Sequence, residues 1–549
     1  MKKIYETIMT ASGSNSRAFP GIRRRLVICS VFFLVILFAG TQHANAAKLG
    51  MSHTAYGVWD NSGDGDVQTY PFLRGSPSGA DWAAVHPGRS NYNWSVIDDA
   101  INSAYSKDFS TFSAVSPVGG GAIGQTMPLW MSEANGGGVP MYGETYNPAT
   151  PTITPAPYIY GYYLDPEYKI YFAEMVEAYA KYIRTEVAPE KQGCLIAVRV
   201  NTGATGDETP YENASLVPAQ YQISNNDWRD FRLWVFEVYR HAFQDGTNGP
   251  VIPLMFHGIG PTDNPIEWTW VTNTVKGGFG TKLGGDVRGH HLSESRRAPA
   301  DFKSCAVDSD FGLFSRNEMD GGYAKPFIQY NARIGMYWAA LEQLNAGMSI
   351  WNLNSGCMSS TYTDGIGFAF DFFNKWAAEL DPATARGGFC VFHEGLDSSD
   401  GAKFPTASYG GGSVSQGNTS RYTAICAAYS NQGARMSHLE AATWGNVKQR
   451  SDTGQTNYND SGWEILSGNY ERFITQINPT NTSKALWRVN SSSTTNFLLT
   501  AASHPYDRFA RRFDRASNWN AMRFDVNDHL TPTPGQSIKL SVIYLDSGT

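Results

Sequence analysis

From Ala47 to about Leu380 the chain alternates between short apolar blocks and longer segments whose apolar residues recur every three or four positions. The short blocks read as strands: "TAYGVW", "YPFLRGS", "FSTFSAVSP", "CLIAVRVNT", "VIPLMFHGI", "KLGGDVRGHH", "FGLFSRNE" and "GMSIWNLN". Between them, "DPEYKIYFAEMVEAYAKYIRTEV", "NNDWRDFRLWVFEVYRHAF" and "QYNARIGMYWAALEQLNAG" carry helical spacing. In the first of these Tyr171, Met175, Ala178 and Ile183 share a face, Asp165 stands where an N-cap belongs and Pro166 fits the first turn. In the last, Gly347 stands where a C-terminal cap is expected. Strands alternating with helices predict parallel βα units, and the strand count predicts a closed (β/α)₈ TIM barrel.

Past about Arg386 the helical period fades, and Gly, Ser, Asn and Thr become frequent. Runs such as "TAICAAYS", "KALWRVN", "TNFLLTA", "AMRFDV" and "IKLSVIYL" read as strands between turns, so an all-β sandwich is expected here. The organisation predicted is a signal peptide over 1–46, an α/β barrel over 47–384 and a β-sandwich over 385–549. The first boundary rests on Arg23, Arg24 and Arg25 ahead of "LVICSVFFLVILFAG", with the small residues "ANAA" marking cleavage after Ala46. That run is short for a spanning helix, which needs about 20 apolar residues, so a secreted protein free of the membrane is the expectation.

Composition narrows the function. A formal net charge of -7 shows no basic footprint for nucleic acid. Aromatics at 13% against 17% charged residues suit stacking on sugar rings as well as an ordinary β-rich core. Of the 6 Cys, Cys29 lies in the leader and the remainder form no CxxC motif, so neither a metal nor a redox site is predicted from them. The stretch "GGGAIG" (119–124) matches GxGxxG, but "QTMPLW" after it is no helix, and the dinucleotide reading fails. No HExxH motif is present, and no cofactor or metal is expected.

Barrel enzymes place reactive groups at the C-terminal ends of their strands. Glu208 follows the fourth predicted strand in "VRVNTGATGDETPY", and Glu318 ends the seventh in "FGLFSRNEMDGG". Two carboxyl groups about 5 to 5.5 Å apart can cleave a glycosidic bond with retention, one as acid/base and one as nucleophile. Their pKa values must then diverge. Asp207 beside Glu208 raises the acid by like-charge repulsion, while Arg316, two residues before Glu318, keeps the nucleophile ionised. Surface turn acids would give the same letters, and Glu294 and Asp320 stand in reserve. His257, His290 and His291 at strand ends are candidates to bond sugar hydroxyls, as is Asn201. Trp59, Trp82, Trp130 and Trp351 are candidate stacking platforms, with core packing as the plainer role. Arg74, Arg288 and Arg316 have forks that match sulfate or carboxylate groups, so an anionic glycan is one option.

With a Glu after strand four, a Glu ending strand seven and a Trp on strand eight in "SIWNLN", the chain resembles the clan of retaining (β/α)₈ glycoside hydrolases. The stretch "PFLRGSPSGADWAAVHPGRSNYNWSVIDDAINSA" is similar to the second-strand region of galactosidase-like and agarase-like members, and "MPLWM" to their third-strand loop. The likeness covers about residues 50–380. It implies Glu208 as acid/base, Glu318 as nucleophile and Trp351 as a sugar platform. One departure matters: the clan usually has Asn before the acid/base, whereas Asp207 precedes Glu208 and Asn317 precedes Glu318, which leaves an exchange of the two roles open. The resulting expectation is a secreted hydrolase of a β-linked polysaccharide, such as a neutral or sulfated galactan. An exo-acting β-galactosidase-like enzyme and a non-catalytic glycan-binding protein are the alternatives.

Overall fold

The structure is a computed structural model. It describes residues 55–63, 65–118, 126–143, 159–204, 209–211, 214–245, 249–262, 264–275, 277–282, 312–319, 340–341, 343–345, 347–353, 358, 367–377, 379, 381–393, 405–409, 468–477, 484–488, 509–512, 522–530 and 539–542.

Nine strands form one parallel sheet: β1 (Gly57–Asp60), β2 (Leu73–Gly75), β3 (Ala80–Asp81), β4 (Thr111–Ser116), β7 (Leu195–Arg199), β8 (Leu254–His257), β9 (Phe279–Lys282), β10 (Gly312–Met319) and β11 (Ile350–Leu353). The hairpin strands β5 (Met141–Gly143) and β6 (Ile159–Gly161) pair separately. The order in the sheet is β2-β1-β11-β10-β9-β8-β7-β4-β3. Strands β2 and β3 lie on one continuous path, and that path is bonded to β4 as well as to β1. Ser110 N donates to Arg74 O at 2.9 Å, Ser76 N to Ser110 O at 3.0 Å and Ser78 N to Phe112 O at 3.1 Å. The sheet therefore curls back toward its own start, in the manner of a (β/α)₈ barrel-like fold.

Residues on alternate strand positions divide between two cores. Trp59, Phe112, Ala197, Met255, Phe314 and Ile350, from six different strands, meet in the interior. The opposite face packs against helices α2 (Ser95–Ser106), α3 (Pro166–Thr185), α5 (Asn225–Gln244) and α6 (Pro265–Thr274) in a larger cluster dense in Tyr, Trp and Phe.

The helix termini follow from local chemistry. Asp165 Oδ1 accepts from Glu167 N at 2.9 Å and from Tyr168 N at 3.3 Å, and Pro166 needs no partner in the first turn. At α5, Ser224 Oγ accepts from Asp227 N at 3.2 Å. Gly347 adopts φ +82°. Gly347 N reaches Leu344 O at 3.0 Å and Met348 N reaches Gln343 O at 2.9 Å, the two bonds of a Schellman ending. Arg184 fastens the end of α3 to the approach to β8 by donating to the carbonyls of Pro250, Ala242, Gly249 and Asp245.

One strand differs from expectation. The sixth barrel strand begins earlier than expected, with "FGTK", Phe279–Lys282; the residues of "KLGGDVRGHH" after Lys282 lie outside the described ones. Gly280 is required there because a Cβ would stand 2.1 Å from Phe314 Cζ on the neighbouring strand. With a glycine set by packing and a lysine two residues later, this segment has no apolar run of its own.

Beyond residue 385 the described strands form two-stranded antiparallel ladders. They are β12 (Phe389–His393) with β13 (Gly468–Arg472), β14 (Ile474–Ile477) with β17 (Arg523–Val526), and β15 (Lys484–Arg488) with β16 (Phe509–Arg512). Arg472 anchors the first ladder to the preceding region, its Nη1 donating to Glu379 O at 2.7 Å and its Nη2 to Leu344 O at 2.8 Å. Among the described residues no helix is long and apolar enough to cross a membrane. The predicted leader lies outside the described residues.

Candidate active site

Above the interior apolar layer, the next inward positions of the strands are polar. From Phe314 inward parity continues to Arg316 and Glu318 on β10, from Met255 to His257 on β8, from Gly280 to Lys282 on β9 and from Ile350 to Asn352 on β11. The pairing registers set Lys282 beside both His257 and Arg316, and Glu318 beside Asn352. These side chains sit at the C-terminal strand ends, where βα connections leave the barrel.

Glu318 is the centre of this layer. Its Oε1 accepts from Arg316 Nη2 at 2.7 Å, and its Oε2 lies 3.1 Å from Lys282 Nζ. Its own backbone N–H is held by Asn317 Oδ1 at 3.0 Å. The carboxyl side chain keeps 25% of its surface exposed, whereas Lys282 and Arg316 keep 8% and 2%. Burial alone would raise the Glu318 pKa, but Lys282 and Arg316 outweigh it and hold the carboxyl well below the ordinary range. Burial lowers Lys282 from 10.5 to about 8; Glu318 opposes that change, while Arg199 and Arg316 add to it. Arg316 is lowered by burial and lies with its guanidinium carbon 4.9 Å from the centre of the Phe112 ring. Arg199 Nη2 and His257 Nδ1 are 3.2 Å apart, which carries the polar layer across to β7. Asn352 donates to Asn61 Oδ1, so the layer also reaches the end of β1.

A carboxylate held ionised by two cations and partly exposed at a strand end is suited to act as a nucleophile or a cation stabiliser rather than as a proton donor. Among the described residues no group of three His, Cys, Asp or Glu gathers as a metal site.

The remaining expected residues fall in several places. Glu208 and Asp207 lie outside the described residues; their flanks Ala204 and Thr209 form an antiparallel bridge after β7. His290, His291, Arg288, Glu294 and Asp320 also lie outside them. His257 and Arg316 join Glu318 in one cluster. Asn201 is buried near Ser116, donating to Val115 O and Ser116 Oγ at 3.0 Å each, and its Oδ1 has no hydrogen-bond partner among the described residues.

The tryptophans largely depart from the platform role. Trp59, Trp82 and Trp351 have 0% exposure. Trp59 stacks on Phe112 in the interior core. Trp82 belongs to α1 (Trp82–Val85) and meets Tyr168 and Phe172 of α3 edge-on. Trp351 takes the parity opposite to Asn352 and packs against Phe370 and Phe373 of the helix Gly367–Ala377. A ring with no accessible face cannot stack on a sugar. Trp130 is half-buried, with its Nε1 donating to His86 O at 2.9 Å, and retains some open surface. Arg74 caps its own turn by donating to Pro71 O and Leu73 O, and the acids that act on its charge are Asp371 and Asp108, not Glu318.

Lys282, Arg199 and Asn352 were not among the residues singled out from the sequence. Period-two alternation from Gly280 would have found Lys282 had "FGTK" been recognised as the sixth strand.

The chain matches no protein-family model and no curated protein in sequence. Its structural neighbours are glycoside hydrolases at low identity. The β-galactosidase from Rahnella sp. R3 is 11% identical, with a TM-score of 0.32 over 60% of this chain and 57% of that one. Endo-β-1,4-glucanase B from Bacillus halodurans is 8% identical, with a TM-score of 0.37 over 63% and 62%. Xylanase 10B from Thermotoga maritima is 11% identical, with a TM-score of 0.33 over 58% and 95%. The chain thus spans little more than half the length of the β-galactosidase it matches.

Proposed function

We propose that the protein is a secreted retaining glycoside hydrolase acting on a β-linked polysaccharide, with Glu318 as nucleophile and Glu208 as acid/base. The observation that carries this reading is the state of Glu318: an ionised carboxylate at a C-terminal strand end, part exposed, with each oxygen held by a cation. In the first step a Glu318 oxygen bonds to the anomeric carbon while the glycosidic bond breaks and the acid/base protonates the departing oxygen. Water, deprotonated by the same acid/base, then displaces the glutamate. Arg316 favours the carboxylate over the acid and fixes its orientation, so the nucleophile is ready at any physiological pH. Residues 385–549 serve in this reading as a β-sandwich accessory module, and residues 1–46 as the export signal.

The test is Glu318→Gln, assayed on an activated aryl glycoside and on a panel of neutral, sulfated and uronate polysaccharides. Turnover should fall by at least about a thousand-fold, and azide should restore aryl glycoside cleavage with formation of a glycosyl azide of inverted configuration. Native turnover in the variant would remove Glu318 from the nucleophile role. An inverted glycosyl azide formed after substitution of Glu208 and not of Glu318 would exchange the two roles, whereas a retained glycosyl azide from a Glu208 variant fits the acid/base.

A further inference from the structure

Among the described residues, the polar layer around Glu318 sets two buried cations against that one carboxylate. Lys282 and Arg316 are 8% and 2% exposed, and the carboxylate they share is Glu318. An ammonium has three protons to donate, and Lys282 Nζ has one ion-pair partner among the described residues, Glu318 Oε2. Arg316 Nε and Nη1 are buried with no hydrogen-bond partner among the described residues. Burying a cation without a counter-charge is costly, so a cluster with this imbalance suits an anion supplied from outside.

The two cations differ in freedom. Arg316 lies under the rim against the face of Phe112 and holds Glu318 Oε1. Lys282 is the last residue of β9, on a flexible four-carbon stem, and it covers Oε2. A retaining nucleophile needs one oxygen free to approach the anomeric carbon. An incoming anion can draw Lys282 off Oε2 and leave Oε1 anchored by Arg316; a neutral sugar offers no such exchange.

Building on the glycosidase reading, we propose that Lys282 is a specificity residue that binds an anionic substituent, carboxylate or sulfate ester, on the sugar ring seated against Glu318. Because Nζ is 3.1 Å from Oε2, the substituent lies on that ring or on its immediate neighbour. A compact ammonium accepts either anion, so the two sources are separated by experiment.

The full-length protein is assayed on two matched pairs: a sulfated galactan and its desulfated form, and a uronate polymer and its carboxyl-reduced form. Reducing-end release gives kcat/KM, and calorimetry with oligosaccharides from the same polymers measures binding independently of turnover. The native protein should prefer the charged member of one pair by about ten-fold or more. Lys282→Met should abolish that preference chiefly through KM, and Lys282→Arg should restore part of it, which loss of structure alone would not produce. The pair that shows the preference identifies the anion.

Equal kcat/KM within both pairs, or an unchanged preference in Lys282→Met, overturns the inference while reducing-end release still supports the hydrolase. If none of these polymers yields reducing ends, binding decides alone. A charged-over-neutral binding preference that Lys282→Met removes then supports the Lys282 site, and equal or absent binding overturns it.

Discussion

Replacing Lys282 with Met should stabilise the fold at neutral pH even as it damages the site. The ammonium is 8% exposed, and burial, with repulsion from Arg199 and Arg316, brings its pKa from 10.5 to about 8 despite the attraction of Glu318. At about 1.36 kcal/mol per pH unit, a charged Lys282 is about 3 kcal/mol less favourable in the folded chain than in the unfolded one. Methionine fills much the same space without the charge, and Glu318 keeps Arg316 on its Oε1, so the carboxylate is not left unpaired as Glu267 would be without Arg232. Below about pH 8 both states of the native protein hold the proton, and the full cost applies. Between there and 10.5 the unfolded chain still holds it while the folded chain has released it, so native stability rises with pH relative to the variant. Equilibrium urea unfolding followed by tryptophan fluorescence, run on both proteins across this range, reads the difference. Lys282→Met should be the more stable near neutrality, by at most about 3 kcal/mol, with the gap closing as pH rises. A native protein that is the more stable at neutral pH, or a gap independent of pH, would refute the assignment of Lys282 as an incompletely answered buried charge.

The same titration has a catalytic counterpart: kcat/KM on an anionic glycan should fall as pH rises through about 8, when Lys282 loses its proton, and this limb should vanish in Lys282→Met. Arg232 and Glu267 form a buried ion pair at 3.1 Å, with 4% and 7% exposure, so Arg232→Met should cost about 3–5 kcal/mol in urea unfolding. Replacing both partners with apolar residues should recover most of that loss, and a single variant as costly as the double would count against the pair. Gly280→Ala puts a Cβ 2.1 Å from Phe314 Cζ, and the overpacked interior should lose about 1–3 kcal/mol, seen as a lower melting temperature.

Much of the barrel was legible from local pattern because its causes are local. The N-cap Asp165, the first-turn Pro166 and the left-handed Gly347 each act within a few residues of themselves, and all three mark the ends where they were expected. The strand "LMFH" is buried on both faces and "LIAVR" nearly so, and an apolar run announces each. The strand "FGTK" failed that test because its glycine answers to Phe314 on another strand and its lysine to Glu318. The same limit governs the site. Glu318 was visible as an acid at a strand end with Arg316 at the same parity, and their contact is a short-range consequence of alternation. Lys282 reaches Glu318 across 36 positions of sequence, and no local period encodes that.

The tryptophans mark the boundary between the two kinds of information. The sequence by itself determined that "IWNL" would be a buried strand and that its side chains would alternate. Only the tertiary structure decided which parity faces inward, placing Asn352 beside Glu318 and Trp351 against Phe370 and Phe373. The physical reason is that alternation is a property of the backbone, whereas the choice of face is made by register and by what the opposite strands and helices leave to be filled.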